Sequence, residues 1–228
     1  MDRACHFQPA AGWLNAAQLA RVVDLSDPER RNRVQVRLLA FDGVEGQDAP
    51  LWARVVCPFA GADRGAFLMP DVDDEVLVVF VQGDARHPLV LGGLWNGSSA
   101  SPADLGDEGN RYKRIRSKNG VTITLDDQQG QETLQLETPG GQKFTLSDGP
   151  GKITLEDSNG NKVVMEAARI SITATAEVKV DAPQVKVSSG MVTVDAALAK
   201  FSGIVKCEVL QATSVISTSY TPGAGNIW

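Results

Sequence analysis

Beyond residue 111 the chain alternates between apolar and polar positions. Short apolar-x-apolar steps recur between polar turns: Ile123-x-Leu125, Leu134-x-Leu136, Phe144-x-Leu146, Ile153-x-Leu155, Val163-x-Met165, Ile170-x-Ile172, Val178-x-Val180, Val185-x-Val187 and Val192-x-Val194. Alternation with period 2 places both apolar residues of a step on one face of a strand. Successive first positions lie 11, 10, 9, 10, 7, 8, 7 and 7 residues apart. The rungs shorten toward the C-terminus, which predicts an elongated, tapering β-structure. The turns carry Asp126-Asp127, Gln129-Gly130, Pro139-Gly140-Gly141, Asp148-Gly149-Pro150-Gly151 and Ser158-Asn159-Gly160. After Ala167 these Gly-rich turns cease, where the repeat falls to about seven. The steps at 198–201, 204–209 and 215–216 are less regular.

A single rung is marginal. Each fully buried apolar side chain contributes about 1.5–3 kcal/mol, while ordering each residue costs about 1–2 kcal/mol of backbone entropy. Stability must come from stacking. One chain winding three strands per turn would give a monomeric solenoid. Three chains winding together would meet along a common apolar axis. A solenoid usually shows a regular repeat, and the variable spacing fits that less well.

The first hundred residues carry a different β pattern. Residues 1–18 are weakly patterned and read as an arm. Strands are predicted at 21–25, 33–38, 51–57, 75–81 and 88–95, separated by turns such as Ser26-Asp27-Pro28-Glu29 and Gln82-Gly83-Asp84. Val34, Val36 and Leu38 alternate with Arg33, Gln35 and Arg37, as in a half-buried strand. Residues 76–81 are continuously apolar, as in a strand covered on both faces. Five short strands with little helix suit a small β-barrel.

Composition narrows the chemistry. The chain has 228 residues, 43% apolar and 22% charged, within the ordinary soluble range. It has no apolar run of membrane-spanning length and no secretory h-region, so synthesis in the cytoplasm is expected. Residues 1–110 carry a net charge of −7 and residues 111–228 of +1. An acidic barrel is poor material for binding nucleic acid. The basic run Arg111-Tyr112-Lys113-Arg114-Ile115-Arg116-Ser117-Lys118 reads as a solvated or pairing edge. Cys5, Cys57 and Cys207 form no CxxC, and His6 and His87 are far apart. No zinc set, catalytic triad or phosphate loop is present, and no cofactor or metal is expected. Asp71, Asp73, Asp74 and Glu75 read as a solvated or salt-bridged turn rather than a calcium or acid–base site.

One ordered set of motifs is more specific. Pro58-Phe59-Ala60-Gly61, Gly65, Met69-Pro70, Asp74-Glu75-Val76-Leu77-Val78-Val79-Phe80, Gly83-Asp84, Pro88-Leu89-Val90-Leu91-Gly92 and Trp95-Asn96 resemble the oligonucleotide/oligosaccharide-binding (OB) barrel of contractile-injection spikes, the phage baseplate assembly protein V and VgrG families. Asp73 stands where that family usually has Gly. The resemblance implies an all-β fold: an OB-fold barrel at 19–97 after the arm at 1–18, a linker at 98–111, and an intertwined trimeric β-helix (a triangular prism) at 112–228. The eighteen residues of the nine steps above would form the trimer axis. The implied function is mechanical. A homotrimeric central spike would sit in a baseplate, contact a hub protein at its barrel end and pierce a target envelope. Gly225, Asn226, Ile227 and Trp228 would meet a PAAR-type tip protein. The lysozyme or hub domains of some members have no counterpart here, and the ladder lacks the iron-binding His-x-His of some short spikes. No catalytic role is expected. The rival readings are an OB module binding glycan or nucleic acid on a β-stalk and, more weakly, a polysaccharide-acting solenoid enzyme.

Overall fold

The structure is a computed structural model that describes residues 15–44, 48–106, 109–149 and 151–219. It is nearly all β. The N-terminal strands are β1 (Gln18–Asp24), β2 (Arg33–Leu38), β3 (Leu51–Val55), β6 (Glu75–Phe80) and β7 (Pro88–Leu94), with a two-residue hairpin between β3 and β6 formed by β4 (Ala60–Gly61) and β5 (Arg64–Gly65). The five longer strands close a barrel in the order β1-β2-β3-β7-β6. All its pairings are antiparallel except β3 with β7.

The barrel follows from alternation. In β2, Val34, Val36 and Leu38 point inward while Arg33, Gln35 and Arg37 point out. Val22, Val34, Val36, Val76, Val78 and Val90 are the largest fully buried side chains, with Ala20 and Ala53 between them. Small and β-branched residues suit the narrow interior of a five-stranded barrel. The β1–β2 turn is clamped by Asp27. Its carboxylate accepts hydrogen bonds from Arg33 Nη2 at 2.7 Å, Arg33 Nε at 3.1 Å and the Arg31 backbone N–H at 2.8 Å.

The expectation that 76–81 is covered on both faces is corrected. Val76, Val78 and Phe80 are buried, but Leu77 and Val79 on the outer face are only half-buried. The strand also stops at Phe80. Residues Val81–Gly83 form a 3-10 turn in which Gln82 takes φ 55°.

Beyond the barrel lie β8 (Tyr112–Arg116), β9 (Thr122–Asp126), β10 (Thr133–Glu137), β11 (Lys143–Ser147), β12 (Lys152–Glu156), β13 (Lys162–Glu166) and β14 (Arg169–Thr173). They make one seven-stranded antiparallel sheet in chain order. The basic run therefore supplies β8, its edge strand. Glycine at the turns lets the chain double back. Gly141 sits at φ +85°, where an added Cβ would also meet Ser158 Cβ at 3.3 Å.

After Thr173 the pattern of steps persists but strand pairing does not. Among the described residues of 174–219 there is no strand, and every residue from Thr175 to Ser219 is exposed. Residues from Val178 onward form a separate unit. A uniform β-helix within one chain is therefore not what the steps build. The first six fold as a meander, and the last three have no strand partner among the described residues.

Candidate assembly interface

The meander turns the steps into two continuous rows. In antiparallel pairs, directly opposed residues share a face. The register aligns Ile115, Ile123, Leu136, Phe144, Leu155, Val163 and Ile172 across all seven strands. The second row aligns Leu125, Leu134, Leu146, Ile153, Met165 and Ile170. All twelve step residues from Ile123 to Ile172 thus lie on one side of one sheet. Ile115 joins them, although sequence reasoning missed it. The sequence Tyr112-Lys113-Arg114-Ile115-Arg116 has no apolar alternation that would have marked it.

This face lacks a cover among the described residues. Leu155 is 55% exposed and Ile172 64%. Leu134, Phe144, Leu146 and Val163 are half-buried. Contiguous exposed apolar rows of this length mark an interaction surface.

The opposite face is polar and better covered. Thr124, Gln135, Thr145, Thr154 and Val164 form its central row, and Thr154 is buried. The flanking rows carry alternating charge. Lys143 pairs with Glu137 at 3.4 Å, Lys162 with Glu156 at 3.0 Å and Lys152 with Glu166 at 3.8 Å. Cross-strand pairs of this kind reinforce register rather than add much stability. A groove of about 770 Å³ opens on this face, lined by Tyr112, Arg114, Thr124, Gln135 and Glu137 among others. Of the two arginines that line it, Arg114 is engaged: its Nη1 donates to Pro102 O at 2.9 Å and its Nε to Thr124 Oγ1 at 3.1 Å.

Perturbed titrations fall on turns and strand ends, away from the apolar rows. The Arg33 guanidinium holds the Asp27 carboxyl well below its ordinary value of 3.8. Arg111 lowers Asp126, and the Asn161 side chain lowers Asp157. The acidic turn is tied into structure. Asp74 accepts a 2.7 Å bond from the Asp71 backbone N–H, Asn96 Nδ2 donates to Glu75 at 2.7 Å, and Lys118 pairs with Asp71 at 3.2 Å. Among the described residues, no group of three or more His, Cys, Asp or Glu could hold a metal ion. None of their helices is long and apolar enough to cross a membrane.

The remaining axis candidates, Val178, Val180, Val185, Val187, Val192 and Val194, are 59–70% exposed. Gly225, Asn226, Ile227 and Trp228 lie outside the described residues, as does most of the arm at 1–18.

The chain is a β protein in which a closed barrel is followed by a sheet whose apolar face is exposed. Residues 18–95 match the Type VI secretion system/phage-baseplate injector OB domain, and residues 133–193 match the phage baseplate V C-terminal trimerisation domain. The chain belongs to the baseplate V and VgrG family of spike proteins. It is 31% identical to Type VI secretion system spike protein VgrG4b of Pseudomonas aeruginosa over 112 residues, 46% of this chain and 14% of that protein. It is 27% identical to VgrG1a of the same organism over 103 residues, 42% of this chain and 16% of that protein. VgrG3 of Vibrio cholerae is 29% identical over 89 residues, 37% of this chain and 9% of that protein. These alignments span no more than about a sixth of the relatives' lengths.

Proposed function

We propose that this chain is the central spike of a contractile injection particle, acting as a homotrimer and mechanically rather than as an enzyme. The observation that carries the reading is the apolar face of β9–β14, extended by Ile115 of β8 and followed in sequence by steps that form no strand among the described residues. Three such faces turned inward would bury both rows along one axis. The steps from Val178 to Val194 would then pair between copies, each extended segment supplying the strand partners that the others lack. The eighteen step residues are the axis of this assembly, and residues 112–228 its spike.

Intertwining makes unfolding require the separation of wound chains, so the assembly resists denaturants kinetically. That suits a part that transmits contraction force to a small area of envelope. The barrel at 19–97 is the end that meets a hub protein, joined by the linker at 98–111, and residues 225–228 are the end that meets a PAAR-type tip. The chain is made in the cytoplasm and enters the particle by assembly. Sedimentation equilibrium of the purified chain tests the core of the proposal. A mass of three chains is expected, and a mass of one would sink it.

A further inference from the structure

We infer that the β4–β5 hairpin docks on the first rung of an adjacent copy and seals the barrel end of the apolar interior. This rests on the homotrimer proposed above. β3 runs parallel to β7 through Val55↔Val90, and Glu75 at the start of β6 pairs with Leu94 at the end of β7. The segment between β3 and β6 therefore projects from the end of the barrel where the linker leaves. Lys118, in the β8–β9 turn, meets Asp71 of that segment at 3.2 Å. Barrel end and first rung thus lie side by side.

Two apolar surfaces face solvent at this junction. The hairpin presents Phe59 at 61%, Phe67 at 72% and Leu68 at 67% exposure. The rung presents Ile115 at 56% and Val121 at 49%. Neither covers the other within the chain. The hairpin is a built feature. The Ala66 N–H donates to Phe59 O at 3.2 Å, and Gly65 takes φ +152°, where a Cβ would meet Phe59 O at 2.9 Å. Two different patches at one height, neither covered in its own chain, suit a head-to-tail contact that closes after three copies. β8 is also the edge strand of the sheet, and covering such an edge limits pairing with stray chains.

The test places the photo-reactive residue benzoyl-phenylalanine at position 67 of the full chain. ¹⁴N- and ¹⁵N-labelled copies are co-assembled, irradiated and mapped by mass spectrometry. The expected result is a sedimentation mass of three chains with mixed-isotope cross-links from residue 67 to the peptide containing Ile115 or Val121. A three-chain mass with cross-links only within one chain, to other peptides, or absent overturns the docking while leaving the trimer standing. A one-chain mass overturns the trimer and the docking with it.

Discussion

The barrel and the sheet use the same alternation to opposite ends. In the barrel, the inward residues of five strands face one another, and valines such as Val36, Val76 and Val78 are fully buried. In the sheet, seven strands lie side by side with their apolar rows on one surface, and the one buried residue is a threonine, Thr154. Closure satisfies the first pattern within one chain. The second leaves its hydrophobic surface exposed in the single chain. An apolar stripe is therefore a statement about folding in one region and about assembly in the other.

That contrast predicts opposite responses to the same substitution. Leu155→Asp changes a residue 55% exposed in the single chain, where surface substitutions shift stability by about 0.5 kcal/mol or less. In a trimer it places three carboxylates on a dry axis, a cost of several kcal/mol per copy. The expected outcome is loss of the three-chain mass with the barrel's circular dichroism intact; a variant that still sediments as three chains breaks the comparison. Val78→Asp reverses the pattern. It buries a charge in the barrel core and costs more than about 4 kcal/mol there. Limited proteolysis should cut the barrel while residues 112–173 stay protected in the trimer.

Asp27 gives a smaller effect with a defined sign. Its folded carboxyl titrates below the ordinary 3.8 because Arg33 donates to it. The unfolded chain therefore takes up the proton first as pH falls. The stabilisation is present above about pH 4 and is lost on acidification through the folded value. Urea midpoints of the barrel should fall from pH 6 toward pH 2, and Asp27→Asn should flatten that slope. Gly141→Ala, at φ +85°, forces a left-handed residue at a cost of about 1–2 kcal/mol. It should lower the melting point of the sheet without changing the mass of the assembly.

Much of this contrast was legible in the residues. Arg33 to Leu38 read as one half-buried strand because charge and branching alternate without a break. The steps from Ile123 to Ile172 read as strands with both apolar residues on one side. The motifs around Phe59, Glu75 and Trp95 pointed to the OB barrel. What did not show was the end of strand pairing after Thr173 among the described residues. Val178-x-Val180 looks like Ile153-x-Leu155, yet only the second lies in a paired strand. Turn glycines alone do not decide it: Gly130, Gly141, Gly151 and Gly160 reverse the chain at positive φ, but Ala167-Ala168 closes the β13–β14 hairpin without one. Between Val180 and Val185, Pro183 lacks a backbone N–H for a ladder. Shorter spacing after Ala167 is visible in the sequence, but it does not mark where pairing within the chain ends, since β14 still pairs with β13. Leu77 and Val79 misled for a related reason. Apolar outer positions announce a cover without saying which chain supplies it.

Amide hydrogen exchange across residues 178–194 of the purified assembly tests the central claim most directly. In the single chain this segment is exposed and forms no strand. Pairing between copies predicts protection there comparable to that of β9–β13. Exchange at the rate of an unstructured peptide, with β9–β13 protected, would contradict an assembly that continues through these steps.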